Sequence, residues 1–175
     1  MKDFLDLAKT RFSTRSYTDR KVEREKLDII LEAGRVAPTT ANGQPQRILV
    51  VDSEQNVRQL EGGANPYRAP LALIVCANVN ESFHDPDTDQ DSYEVDATIV
   101  ATHMMLAAAD LGLGSIWIGQ FDRISVRANF NVPDDYAIAW SATPMPSPTR
   151  TGTTRREGLW RRPCFTSRSK PASHV

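Results

Sequence analysis

Apolar residues over the first twelve positions recur at helical spacing. Phe4, Leu5, Ala8 and Phe12 predict a short helix ending near Arg11. A polar turn, Ser13 to Lys21, leads to a second helix opened by Val22-Glu23-Arg24-Glu25, with Leu27, Ile30, Leu31 and Gly34 on its apolar face. Pro38 stops it, because proline has no N–H to extend the ladder. Thr39 to Gln46 is a loop rich in turn formers. Arg47 to Asp52 reads as a buried strand, and Ser53 can cap the helix after it. Pro70 to Ala77 is a second buried strand. The apolar run from about Tyr93 to Leu111, with Ala97, Val100, Ala101, Met104, Met105 and Ala108 inward, is apolar on most sides, as a central, buried helix must be. Gly112-Leu113-Gly114 ends it. Ser115 to Gly119 is a third strand, Arg123 to Phe130 a short helix, and Tyr136 to Trp140 a last strand. Helices and strands interleave without repeats, which predicts a sheet covered by helices.

Composition narrows this. With 175 residues, 40% of them hydrophobic, the chain fits one domain with a real core. A formal net charge of −1 gives no global field for nucleic acid or an acidic membrane. No window approaches the roughly 20 apolar residues of a membrane span, and the first residues lack the apolar run of a signal peptide. Cys76 and Cys164 form no CxxC, so a disulfide framework or zinc site is not expected and a reducing cytoplasm fits. Asn80 to Asp91 carries five Asp or Glu and no aliphatic residue; it lacks the glycine and closing glutamate of an EF-hand loop and reads as an exposed loop. His103 lies within the apolar helix and reads as a packed core histidine.

Three segments carry candidate chemistry. Arg11-Phe12-Ser13-Thr14-Arg15 can converge two guanidiniums and a hydroxyl on one side of an extended turn, the donor set a phosphate monoester needs. Alone, it also reads as a solvated basic turn. Pro38-Thr39-Thr40-Ala41-Asn42-Gly43-Gln44-Pro45 sets hydroxyls and carboxamides between two stiffening prolines. It could present polar groups to a flat heterocycle, or simply join a helix to a strand. Leu111 to Gln120 ends in Ile118-Gly119-Gln120 at a strand end, where α/β sheets place ligands and glycine lets backbone approach a ring. It contains neither a dinucleotide fingerprint after a strand nor a Walker lysine.

In this order and near these spacings, the three segments resemble the nitroreductase family of FMN-dependent oxidoreductases, over roughly Phe4 to Trp140. The resemblance implies an α+β sandwich with a central mixed or antiparallel sheet, assembled as an intertwined homodimer with FMN sites across the interface. It implies that Arg11, Ser13 and Arg15, with Phe12 among them, bind the ribityl phosphate and ring edge. Pro38, Thr39, Thr40 and Asn42 would reach the flavin from the partner subunit, Gln44 would support that loop, and Ile118, Gly119 and Gln120 would line the ring from their own subunit. The implied activity is hydride transfer from NAD(P)H through FMN to a nitroaromatic, quinone or activated alkene, by ping-pong kinetics and without an acid–base dyad. Two other readings stay open: a dehalogenase or flavin-fragmenting relative, and a non-catalytic dimer module with impaired FMN retention. The first of these usually needs an additional lid, for which only Asn78 to Ser92 is available.

The end of the chain departs from the family. Where a Gly-Tyr-Pro turn and a basic phosphate-closing segment are expected, it reads Ala139-Trp140-Ser141-Ala142-Thr143-Pro144-Met145-Pro146. From Ala142 to Val175 there are seven Lys or Arg against one acid, and five of the 11 prolines. Within codon degeneracy, restoring one C after the GC of the Ala139 codon gives Ala-Val-Val-Gly-Tyr-Pro, the family-like continuation. Residues from about Trp140 onward therefore read as an out-of-frame tail, and 142–175 as a disordered segment beyond a 1–141 domain. A genuine divergent tail, whose arginines bind phosphate or wrap the partner, is the alternative.

Overall fold

The computed structural model describes residues 3–146. Two helices come first: α1 (Phe4–Thr10) and α2 (Arg24–Arg35). They are followed by β1 (Gln46–Val51), α3 (Glu54–Glu61) and β2 (Ala72–Asn78). Short strands β3 (His84–Asp85) and β4 (Gln90–Asp91) precede the long helix α4 (Tyr93–Asp110). Then come β5 (Leu113–Ile118), α5 (Arg123–Phe130) and β6 (Tyr136–Pro146). The main sheet has the order β1-β2-β6-β5, and every pairing in it is antiparallel.

Local chemistry sets the helix ends. Asp3 accepts from the Leu5 N–H at 2.8 Å, and Ser53 from Asn56 N–H at 3.2 Å, the capping role its sequence position suggested. Asp122 accepts from Ile124 N–H at 2.9 Å at the start of α5. Gly112, at φ +77, closes α4 in the left-handed region where a Cβ is penalised.

Strand β2 is buried throughout, and its period of two divides the core. Leu73 and Val75 join the cluster formed with α2 and α4, which includes Leu27, Ile30, Val100 and Met104. Ala72, Ile74 and Cys76 join the opposite one, with Val57, Leu60 and Val126 from α3 and α5. Helix α4 thus covers one face of the sheet, and α3 with α5 the other. Helices α2 and α4 meet at Gly34, where an added Cβ would stand 3.0 Å from Ile48 Cδ1 and Met104 Sδ.

Two elements differ from the sequence expectation. The acidic stretch is not only loop: Asp85 accepts from Asp87 N–H (2.9 Å) and Thr88 Oγ1 (2.8 Å), turning the chain so that His84 and Asp85 pair with Asp91 and Gln90. Strand β6 runs past Trp140 to Pro146, so the boundary drawn at 141/142 falls inside a strand. Beyond Ala142, the last β6 residue in register with β2, only β5 pairs with it. The other edge is open there, which tolerates the missing N–H groups of Pro144 and Pro146. The remainder of the expected tail, 147–175, lies outside the described residues. Among the described residues no helix is long and apolar enough to cross a membrane.

Candidate functional site

The segment after α1 is laid along β5. Ser13 forms a parallel bridge to Ser115, and the Thr14 N–H donates to the Ser115 carbonyl at 2.9 Å. Thr14 is fully buried, so extended backbone alternation turns its neighbours Ser13 and Arg15 away from the core. Beyond Ile118, which is buried, Gly119 and Gln120 emerge from the sheet. The chain is then tied to the turn after α3 by the Asp122 N–H, which donates to the Gly63 carbonyl at 2.7 Å. That approach is close: a Cβ on Gly63 would lie 3.2 Å from the Asp122 carbonyl oxygen and from Val126 Cγ2.

These constraints enclose a cleft of about 1030 Å³, at the upper end of small-molecule sites. Arg15, Tyr67, Ile118, Gly119, Gln120 and Phe121 are among its walls, and Glu61 and Asp122 bring negative charge to its rim. The Ser125 hydroxyl and the Ser125 and Ile124 N–H groups hold the Asp122 carboxyl below the usual carboxylate range, so it is ionised at neutral pH. The cleft therefore offers a permanent cation, exposed backbone at a glycine and aromatic walls. That set suits a flat polar heterocycle carrying an anionic group.

The Pro38–Gln44 loop does not join the cleft of its own chain. Its backbone is strained: Ala41, Asn42 and Gln44 have φ of 52, 56 and 50, each costing about 1–3 kcal/mol for a non-glycine residue unless its surroundings enforce it. Gln44 supplies much of that enforcement. Its side-chain amide donates to Ala37 O, Thr39 Oγ1 and Asn42 Oδ1 at 3.3, 3.2 and 3.1 Å, and accepts from Gln46 Nε2 at 2.8 Å. Gly43 packs so closely on the Glu81 carbonyl that a Cβ would come within 2.8 Å of it.

The family model of the nitroreductase family matches residues 8–62 and 58–143, most of the chain. The chain belongs to the nitroreductase family. Among similar solved structures is a nitroreductase family protein from Clostridium difficile 630, 36% identical with a TM-score of 0.87, covering 93% of this chain and 94% of that one. An FMN-dependent nitroreductase from Clostridium difficile R20291 is 25% identical with a TM-score of 0.80, covering 95% of this chain and all of that one (100%). The FMN reductase [NAD(P)H] of Bacillus subtilis is 35% identical over 134 residues, 67% of this chain and 52% of that protein.

Within this nitroreductase-family fold, the cleft brings together Arg15 with Ile118, Gly119 and Gln120, which the sequence reading had placed on one ligand. Arg11, Phe12 and Ser13 are half-buried on the adjoining segment, off the cleft wall. Pro38, Thr39, Thr40 and Asn42 stand apart. Sequence reasoning missed Gly63, Ala64, Asn65 and Tyr67 on the facing wall. One signal for them was present: a Gly-Gly pair followed by a segment bracketed by Pro66 and Pro70, in which Tyr67 and Arg68 adopt φ of 55 and 59.

His103 donates or accepts through Nδ1 at 2.9 Å from the Ile99 carbonyl and is half-buried on α4, as a packed histidine would be. Cys76 lies beside a separate groove of about 350 Å³. Burial pushes its thiol up to about 11, against a smaller opposing pull from the Arg127 charge, so it is no nucleophile at neutral pH.

Proposed function

We propose that this nitroreductase-family chain is an FMN-dependent oxidoreductase of NAD(P)H, working as a homodimer on nitroaromatics, quinones or activated alkenes. The observation that carries the reading is the convergence of Arg15 with the Ile118-Gly119-Gln120 strand end on one cleft. The residues present fit FMN: a guanidinium for an anionic group or an electron-rich ring edge, and a glycine at which backbone meets the ring. When bound, FMN supplies two-electron transfer between NAD(P)H and an acceptor that occupy the same place in turn, which is ping-pong order.

The chain's own residues orient and bias this chemistry. Arg15 sets a permanent positive charge against the cleft, where it favours negative charge on the reduced ring edge. Gly119 and Gln120 present main chain and a carboxamide to the ring plane, and Arg11 and Ser13 extend the donor set toward the phosphate. The Pro38–Asn42 loop serves the cleft of the second subunit, in keeping with its separation from its own. Dimerisation is supported by apolar side chains on the helices of one sheet face: Phe4, Leu5, Ile29 and Val95 are more than half exposed on α1, α2 and α4.

The purified protein should be yellow, bleach with NADPH or NADH under anaerobic conditions, and regain colour on adding a quinone. A colourless protein that FMN cannot reconstitute would refute the proposal.

A further inference from the structure

One carboxylate reaches the strained loop from 56 residues away. Asp96, in the first turn of α4, has no exposed surface. Its Oδ1 accepts the Thr40 backbone N–H at 2.7 Å and the Thr40 hydroxyl at 2.9 Å. Its Oδ2 accepts the Ser92 hydroxyl at 2.7 Å. Ser92 is the N-cap of α4, yet its side chain makes no capping bond to the helix. Its hydroxyl is turned instead to Asp96 and accepts the Phe83 N–H at 3.1 Å. The helix start has thus given up its usual cap to brace a buried carboxylate that grips Thr40. Thr40 immediately precedes Ala41 and Asn42, two of the loop residues held at positive φ.

We infer that Asp96 is a positioning residue for flavin binding: it fixes the Thr40–Asn42 turn in the left-handed shape that presents the loop to the FMN of the partner subunit. The inference rests on the flavin reading above. It adds that a side chain outside the contact segments sets their geometry. The carboxylate suits the task because it alone carries two acceptor oxygens, one able to take both Thr40 donors while the other is held from behind. With Asp96 removed, the buried Thr40 donors lose their acceptor, and nothing else among the described residues replaces it for the backbone N–H. The turn then relaxes, since its φ values are unfavourable without external restraint.

The test is FMN binding to the full chain, followed by quenching of flavin fluorescence, with visible circular dichroism of the bound flavin at saturation. Asp96→Ala should raise the FMN Kd at least tenfold and alter the flavin dichroism. Asp96→Asn keeps an oxygen for the Thr40 N–H and should return the Kd to within about threefold of the parent, with the parent's dichroic spectrum. Ser92→Ala, a milder change should Asp96→Ala fail to fold, should raise the Kd severalfold. A parent that binds FMN while Asp96→Ala, or Ser92→Ala if that variant alone folds, binds equally well overturns the inference alone. So does an Asp96→Asn variant as impaired as Asp96→Ala. A parent that binds no FMN overturns the flavin reading and the inference with it.

Discussion

Replacing Arg15 by alanine tests the cleft most directly. The side chain is exposed, and it stands on the cleft wall with Ile118, Gly119 and Gln120. If its guanidinium bonds the flavin, the substitution removes one charge-assisted hydrogen bond, about 1.5–3 kcal/mol. With RT near 0.59 kcal/mol, the FMN Kd should rise by about 10- to 160-fold. Folding should change by no more than about 1 kcal/mol, because an exposed side chain contributes little to stability beyond any surface ion pair. Binding and stability are therefore expected to separate, which a general loosening of the fold would not produce.

The assay pairs a fluorescence titration of FMN with a urea melt of the apoprotein. Arg68→Ala is the matched control. Arg68 is also an exposed arginine, but it lines a neighbouring groove with Asp19, Lys21 and Asp52, not the cleft. Its loss should leave the Kd within about twofold, as expected for a charge largely screened by solvent. The Arg15 effect should also shrink at high salt less than a purely long-range attraction would, since a direct bond is short-ranged. Equal FMN affinity in Arg15→Ala and the parent would refute the assignment. So would an equal loss in Arg68→Ala, because the effect would then be one of net charge.

Gly43→Ala would place a methyl 2.8 Å from the Glu81 carbonyl oxygen, so the loop must shift; FMN affinity should fall at least threefold while the urea midpoint of the apoprotein barely moves. Cys76 should resist thiol reagents at pH 7 in the native state, where a thiol held at about 11 is roughly one part in ten thousand thiolate, and react once urea unfolds the chain. Because its native value is raised from about 9, the native state keeps its proton longer than the unfolded one. Its contribution to stability is complete below about pH 9 and is lost as pH rises toward 11, which pH-dependent urea melts would register. The coding DNA tests the reading frame: the family match ends at residue 143, and a single restored base near the Ala139 codon should open a Gly-Tyr-Pro frame. If no single-base change opens that frame, the out-of-frame proposal fails. If one does, a chain with the restored frame should bind FMN at least tenfold more tightly, from recovered phosphate contacts.

Which parts of this molecule were legible in the sequence follows from where each kind of information is stored. Strand β2 and helix α4 were plain because each is surrounded by protein, and burial on all sides writes an unbroken apolar run. Strand β6 was cut short because Pro144 and Pro146 read as breakers, and only pairing shows that one edge of the strand is open beyond Ala142. The cleft lay between these extremes. Arg15 and the Gly119-Gln120 end carry chemistry visible in their own side chains. Asn65 and Tyr67 reach the same cleft because the Gly63 carbonyl meets the Asp122 N–H, a contact across 59 positions that has no periodic signature. Asp96 is the sharpest case. In sequence it is one more acid in the first turn of a helix, where acids are ordinary because the dipole favours them. Its three hydrogen bonds point elsewhere, to Thr40 and Ser92. A residue whose role is to shape another segment leaves its signal in that segment's backbone, here in the positive φ values of Ala41, Asn42 and Gln44. Those angles belong to residue types that do not require them, so their cause has to be sought in the neighbours that hold them.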